Sequence, residues 1–369
     1  MSLKEIIIQY INHNGPMDIG QYMTLCMGHD RYGYYMTRDP FGSKGDFTTA
    51  PEISQMFGEI LGAFYADLWL RAGQPEISLV EFGPGRGTLM ADIMRGTSKV
   101  PGFHESISVY LVEISPVLKK AQARSLEAYQ ATWLDRAEEL PYEKPLFCIG
   151  NEFLDALPVR HVVRKNNMWF EKCITRAAQS GFTWTLVPAQ PELLGFLPEG
   201  AKGAEEDTIF ETSPARISWI DALSERLKKQ GGGSLFIDYG YNEPAPGETL
   251  QAVEKHKYRD ILDKPGQQDL TAHVNFQDIE NSAKKNGLVF HGPITQNAFL
   301  TRLGIIQRAR ALMKSGDQKH AARIQTDLER LTGMDHMGQL FKICFMADKN
   351  MPGPVGFLSE AEQKNEIRA

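Results

Sequence analysis

In the run Ile77-Ser-Leu-Val-Glu-Phe-Gly-Pro-Gly-Arg-Gly-Thr-Leu89 an acid, Glu81, stands two residues ahead of three alternating glycines, Gly83, Gly85 and Gly87. Glycine takes positive φ at little cost and lets a ligand approach the backbone with no Cβ in the way. An apolar strand feeding such a turn and then a helix is the sequence form of a cofactor cradle. The alternation departs from the G-x-G-x-x-G spacing of a dinucleotide fingerprint. A pyrophosphate over a helix N-terminus is held by free N–H groups and the helix dipole, and a carboxylate at that spot would oppose it. Glu81 instead suits a cationic ligand. The competing reading is a strand-to-helix loop that merely needs glycines.

Further acids stand at the ends of the next apolar runs. Ser108-Val-Tyr-Leu-Val-Glu113 closes on Glu113, as nucleotide-binding βαβ units often do to hold a ribose hydroxyl pair. Its distance from the glycines exceeds the usual interval of about 20 residues, so the loop with Lys99, Pro101 and Gly102 must absorb the difference. A surface glutamate capping the helix around Pro116 is the alternative. Ala131-Thr-Trp-Leu-Asp135 closes on Asp135, and Leu146-Phe-Cys-Ile-Gly150 is followed at once by Asn151, Glu152 and Asp155. Those three polar groups lie just beyond the C-terminal end of a buried strand, where open α/β sheets bind their ligands. Capping of the following turn by Glu152 and Asp155 is the competing reading.

The acid-x-Gly-x-Gly-x-Gly pattern resembles the first motif of the class I S-adenosylmethionine methyltransferases, whose cofactor carries an ammonium, a sulfonium and no phosphate. Further motifs narrow the resemblance: Tyr32-Gly-Tyr-Tyr35, Gly45-Asp-Phe-Thr-Thr-Ala-Pro-Glu-Ile-Ser54, Phe57-Gly-Glu59, Ile237-Asp-Tyr-Gly240, Asp269-Leu-Thr-Ala-His-Val274 and Met337-Gly338. With the Asn151–Asp155 cluster they closely resemble the MidA-like family over nearly the whole chain. That family includes the mitochondrial protein arginine methyltransferase that assists assembly of respiratory complex I.

The resemblance implies S-adenosyl-L-methionine as cofactor, held by Glu81, Phe82, Gly83, Pro84, Gly85, Gly87 and Thr88, by Glu113 and Ile114, and by Asp135 near the adenine. It implies that Asp46, Thr48 and Thr49 cover the cofactor, with Gly45 and Glu52 beside them and Phe47 as an aromatic lid. A solvent loop is the alternative for that polar stretch. The implied acceptor is an arginine of a protein substrate, a subunit of the respiratory NADH dehydrogenase, with Glu152 and Asp155 clamping its guanidinium and Asn151 beside them as the catalytic set. A guanidinium stays protonated and presents planar donors that carboxylates bind in pairs.

The implied fold is α/β, a Rossmann-like class I methyltransferase core with a seven-stranded, mostly parallel sheet. The expected division is an N-terminal helical cap and cofactor-covering loop over 1–70, the core over 71–160 and 210–369, and a β-meander insertion for substrate recognition over 161–209. Ser2 and Glu5 fit a capping box, and Leu3, Ile6, Ile7, Tyr10 and Ile11 share one helical face ending at Gly15-Pro16. Turn chemistry at Lys165-Asn-Asn167 and Gln179-Ser-Gly181 separates three short strand-like runs. A helix over about 213–229 leads into a fifth core strand, Ser234-Leu-Phe-Ile-Asp238. Asn275 and Asp278 read as the start of another helix, and helices over 298–314 and 318–331 precede a last strand, Leu340-Phe-Lys-Ile-Cys-Phe345.

With 369 residues, 42% of them hydrophobic and 23% charged, the chain can bury a full core. A net charge of −6 and the lack of any Lys/Arg stripe interleaved with aromatics argue against nucleic acid and suit an arginine-bearing partner. Cys26, Cys148, Cys173 and Cys344 form no C-x-x-C motif, which fits a reducing compartment. No apolar run is of membrane-spanning length, and the N-terminus does not read as a signal sequence. The expected location is the bacterial cytoplasm, with the mitochondrial matrix implied for eukaryotic relatives. His256 and His273 have no acid or cysteine at metal-ligand spacing from both, so no metal is expected. A nicotinamide-dependent oxidoreductase and a non-catalytic complex I assembly factor are the other function classes weighed. The sequence does not speak to oligomeric state.

Overall fold

The computed structural model describes residues 1–40, 48–255 and 257–357. Glu113 and Asn151 come together because the chain builds one twisted sheet whose strands, labelled along the chain, are β1 (Ile77–Phe82), β2 (Ile107–Val112), β3 (Ala131–Leu134), β4 (Leu146–Asn151), β5 (Gly232–Tyr241), β6 (Val289–Thr295) and β7 (Phe341–Ala347). Their spatial order is β3-β2-β1-β4-β5-β7-β6. Neighbours pair in parallel from β3 to β5, and β7 runs antiparallel to both β5 and β6. A two-residue strand, Val274–Asn275, adds an eighth member by pairing with the end of β5. The chain order reverses on either side of β1, so a crevice opens at the C-terminal ends of β1, β2 and β4.

The strands are apolar because both faces are covered. Side chains alternate between two cores with the period of two that a strand imposes. Leu79, Leu111, Ile149 and Ile237 join a cluster with the helices Gln55–Arg71 and Thr88–Thr97. Val80, Phe82, Cys148 and Phe236 join another with Pro214–Gln230 and Phe276–Lys285. Serines and asparagines set the helix starts: Ser213 accepts from the Arg216 amide and Asn275 from the Gln277 amide. The helix expected over 298–314 is two, Gln296–Arg302 and Ile305–Lys314, separated at Gly304, which adopts a φ of 92°.

A second unit leans on this core. Strands Arg160–Lys165, Met168–Arg176, Phe182–Pro188 and Ile209–Thr212 make a separate antiparallel sheet, turned at Asn166 and Asn167 with φ of 50° and 59°. The N-terminal strand Met17–Asp18 joins its edge, Met17 opposite Ile174. The first helix, Leu3–Asn14, has the capping box: Ser2 accepts from the Glu5 amide and the Ser2 amide donates to Glu5. Its buried Leu3, Ile7 and Ile11 share a third core with Val159 and Ile174 of the inserted unit and with Leu250 and Leu270. A small sheet of Lys257–Arg259, Gln251–Glu254 and Asp269–Thr271, in that order, completes the wall next to the crevice.

One buried acid ties the helical layer that carries the glycine turn. Glu59 accepts from Arg95 on the Thr88–Thr97 helix at 2.5 Å and from two nitrogens of Arg308 on Ile305–Lys314 at 2.7 and 3.0 Å. Glu59 is 8% exposed, whereas Arg95 and Arg308 are 44% and 39% exposed, so the pairs are partly screened. Removing one partner of a buried pair costs about 3–5 kcal/mol, and exposed pairs contribute under about 1 kcal/mol. Glu59→Gln is therefore expected to destabilise by about 2 kcal/mol, read from urea unfolding. A loss below about 0.5 kcal/mol would show that the three helices do not depend on this tie.

Candidate active site

Glu81 is the one acid in buried β1, near its C-terminal end, and the chain then leaves the sheet through Gly83, Gly85 and Gly87 at φ of 61°, 54° and 79°. These left-handed conformations are what glycine permits. The Gly83 amide donates to Val112 of β2 and the Gly87 amide to Pro84, which closes the turn. The Thr88–Thr97 helix starts directly after it. Gln122 packs against the turn and donates to the Gly85 carbonyl at 2.8 Å. A Cβ on Gly87 would lie 3.2 Å from the Gln122 Cα.

A cavity of about 710 Å³ lies over this turn and reaches the end of β4. Its volume falls in the range of small-molecule sites. Along one half it is lined by Glu81, Gly83, Pro84, Gly85, Thr88, Glu113, Ile114 and Asp135, and along the other by Asn151, Glu152, Asp155 and Thr49. Three anticipated residues are placed otherwise. Phe82 turns into the core, stacked on Phe153 and edge-on to Trp219. Gly87 is required by the approach of Gln122, and Thr48 does not line the cavity. Asp46, with Gly45 and Phe47, lies outside the described residues, as does His256.

The cavity is rich in carboxylates whose environments differ. Burial pushes Glu81 well above the usual carboxylate range and the charge of Glu113 adds to it. Glu113 accepts from the Ser115 amide at 2.7 Å and from Gln122 at 3.1 Å, and burial brings it up to about 6. Asp135 is exposed at the rim and pairs with Lys119, which lowers its pKa. At the other end Glu152 adopts a φ of 50°, a left-handed conformation unusual for a side chain of this size. One of its oxygens accepts from the Ala50 amide at 3.1 Å and from Asn151 at 3.3 Å. Burial, then the charge of Asp155, pushes it up to about 8. Asp155 is buried and raised for the same reason; its Oδ2 accepts from the Tyr239 hydroxyl at 2.6 Å, which works the other way.

Several residues that join this site carried weaker sequence signals. Asp238, at the end of β5, accepts from the amides of Leu154 and Asp155 and so shapes the acceptor turn. Arg216 donates to the Leu154 carbonyl beneath that turn. Asp238 and Tyr239 belong to the Ile237–Gly240 motif, and their place beside β4 at a strand end is the signal that assigns them. Asp269, Thr271 and His273 all line the cavity, and burial lowers the His273 pKa. Tyr35 spans the two halves: its carbonyl accepts from the Ser115 hydroxyl at 2.6 Å and its hydroxyl donates to Asp269 at 3.0 Å. Glu52 ties the segment after residue 47 to the glycine turn by accepting from Thr88 at 2.5 Å.

Three buried oxygens here have no hydrogen-bond partner among the described residues: Glu81 Oε2, Asn151 Oδ1 and Asp155 Oδ1. Buried polar atoms are rarely left so, and acceptors of this kind call for donor groups on a ligand. An ammonium near Glu81 supplies donors of that kind, whereas a pyrophosphate against Glu81 does not. Among the described residues no His, Cys, Asp and Glu cluster could hold a metal ion.

Comparison with known proteins agrees with this chemistry. Residues 60–294 match the family described as "Putative S-adenosyl-L-methionine-dependent methyltransferase". The mitochondrial protein arginine methyltransferase NDUFAF7 of Danio rerio is 31% identical over 89% of this chain and 82% of its own length. The Drosophila melanogaster homologue is 33% identical over 94% of this chain and 84% of its own length. The crystal structure of a COG1565 superfamily member from Burkholderia thailandensis, bound to S-adenosyl-homocysteine, superposes with a TM-score of 0.85 at 26% identity, covering 97% of this chain and 94% of that one.

The raised carboxylates give the ligand-free protein a pH signature. Burial and the charge of Asp155 let Glu152 hold its proton in the folded state up to about 8, whereas in the unfolded chain it ionises in the ordinary carboxylate range near 4.5. Across that window the folded state binds more protons, so stability is fully present below the unfolded value and is lost as pH rises through the folded one. Glu152→Gln is expected to flatten this slope, which amounts to at most about 1.4 kcal/mol per pH unit, in urea titrations between pH 5 and 8.5. An unchanged slope in the variant would remove Glu152 as its source.

Proposed function

The chain belongs to this family of S-adenosyl-L-methionine-dependent methyltransferases, and on that premise we propose that it methylates an arginine side chain of a protein partner. The observation that carries the proposal is the pair of unpartnered buried carboxylate oxygens lining one cavity, Glu81 Oε2 and Asp155 Oδ1. One suits the ammonium of the cofactor and the other a second, separate cation. The names of the relatives supply the acceptor class, since they are called protein arginine methyltransferases.

The bound cofactor supplies an electrophilic methyl on a sulfonium, and its donation is an in-line displacement that depends on placement of the nucleophile. On our reading Glu81 holds the ammonium, Glu113 accepts from the ribose hydroxyls, Ile114 offers an apolar surface to the base, and Asp135 stands at the rim. Gly83, Pro84, Gly85 and Thr88 give a backbone floor, and Thr49 the cover. Asn151 Oδ1 stands between the two halves as a further acceptor. Glu152 and Asp155 each have one oxygen engaged, by Ala50 and Asn151 and by Tyr239, which aims the other toward the acceptor.

Two carboxylates on one face of a guanidinium draw its positive charge toward the nitrogens they bind and leave the third nitrogen richer in electrons. The incoming cation favours the ionised form of Glu152 and releases its proton. The proton that the acceptor nitrogen loses on methylation passes to Glu152, which the bound cation has left ionised. The acceptor protein implied by the family resemblance is a subunit of the respiratory NADH dehydrogenase, and a cytoplasmic location belongs to the same proposal. The relatives named above are mitochondrial. No helix of the described residues is long and apolar enough to cross a membrane.

Two substitutions separate the halves. Asp155→Asn is expected to abolish transfer while calorimetry shows S-adenosylhomocysteine affinity within a few-fold of wild type; joint loss of both would make Asp155 structural. Glu81→Gln is expected to weaken S-adenosylmethionine binding by roughly 10- to 100-fold, the value of one charge-assisted hydrogen bond. Labelled methyl transfer into lysate from a deletion strain, followed by hydrolysis, should yield methylarginine. Label on any other residue would overturn the acceptor.

A further inference from the structure

The small sheet beside the crevice runs from the acidic interior to solvent in a single cross-strand row. Asp269 pairs with Val253, and Val253 pairs with Tyr258. Directly paired residues share one face of a sheet, and all three line the cavity that holds Glu152 and Asp155. The alternating Ala252 and Leu270 face the other way, into the third core. Burial along the row grades from Asp269, 6% exposed, to Tyr258, 77% exposed. Two inter-strand steps separate its ends, about 9.5 Å, a depth that only a long side chain spans. Leu340, 49% exposed, also lines the cavity, next to buried Phe341. An exposed tyrosine and an exposed leucine thus line the same cavity as the buried acids.

We propose that the acceptor arrives as an extended polypeptide segment whose arginine side chain runs down the Tyr258–Val253–Asp269 row, while apolar residues flanking that arginine seat on Tyr258 and Leu340 at the mouth. The proposal rests on the arginine reading above and adds what surrounds the arginine. Charge complementarity fixes the occupant: the channel floor carries Asp155, Glu152 and Asp269, so the inserted group is cationic, and the collar above it is apolar. Val253 offers the aliphatic stem of the inserted side chain a dry surface, as long cationic side chains favour. The basic neighbours of Tyr258, Lys257 and Arg259, pair with Glu254 and Ala252 and so lie on the opposite face, where Arg259 meets Glu254 at 3.3 Å. The tyrosine's cross-strand neighbour on that face is the apolar Val253.

The test uses the full chain, labelled S-adenosylmethionine and two synthetic peptides, Gly-Gly-Leu-Arg-Leu-Gly-Gly and Gly-Gly-Gly-Arg-Gly-Gly-Gly. Wild type is expected to favour the leucine-flanked peptide by about tenfold in kcat/KM, the effect of one aromatic anchor. Tyr258→Ala is expected to erase that preference through KM, with S-adenosylhomocysteine affinity retained, and Tyr258→Phe to restore it. Tyr258 is so exposed that its truncation leaves the core intact. Equal use of the two peptides, no turnover of either, or an unchanged KM in Tyr258→Ala would overturn the apolar collar. Methylarginine formed in the deletion-strain lysate alongside any of those results would leave the arginine reading standing. Absence of methylarginine there would remove both.

Discussion

The acceptor half of the site depends on a carboxylate buried behind the cavity wall, Asp238. Asp238 is fully buried at the end of β5, and its Oδ2 accepts from the amides of Leu154 at 2.9 Å and Asp155 at 3.2 Å. The Glu152 amide donates to the Ile237 carbonyl beside it. These bonds bend the chain away from β4 and hold Glu152 at its positive φ, a conformation that persists only where its surroundings over-determine it. Burying Asp238 is costly, and burial pushes its pKa well above the usual range, with Arg216 working in the other direction. Because β5 pairs in parallel with β4 at Ile237 and Asn151, the register of two central strands fixes where the two acceptor carboxylates stand.

The same logic runs through the other half. Glu113 is pinned by Ser115 and Gln122, Gln122 in turn grips the Gly85 carbonyl, and the Trp133 indole donates to Gln122 at 2.9 Å. The site is therefore organised before any ligand enters, and the ligand-facing oxygens are those left over once the scaffold has taken its share. Such prior fixing of donors and acceptors spares the reacting groups the reorganisation they would undergo in water.

The parts legible in the sequence were those where a local pattern and the tertiary environment agree. β1, β2 and β4 are short apolar runs closed by acids, and the sheet faces them with helices on both sides. The capping box at Ser2 and the turns at Asn166 and Asn167 are local chemistry and appear as read. β6 was not legible, because Val289-Phe-His-Gly-Pro-Ile-Thr295 is interrupted by Gly292 and Pro293 and shifts register between His291 and Ile294. Proline is tolerated there because β6 is an edge strand. The strands Gln251–Glu254 and Lys257–Arg259 of the small sheet were missed since they have four and three residues. Within the site, Gly87 and Phe82 show the limit of motif reading. A motif residue can be needed by its neighbours instead of by the ligand, and only the approach of Gln122 and of Phe153 distinguishes the two.

Met17 hydrogen-bonds across to Ile174, and Tyr35 reaches Asp269. This segment therefore depends on strands more than 150 residues further along the chain, and closing loops of that length is slow. The N-terminal strand can pair only with an inserted strand that is already in place, since Met17 stands opposite Ile174. Assembly of the roof over the site is in this sense the closing act of folding, and a nascent or truncated chain would display the acid-lined crevice uncovered. The order of synthesis and the order of completion run in opposite directions along this polypeptide.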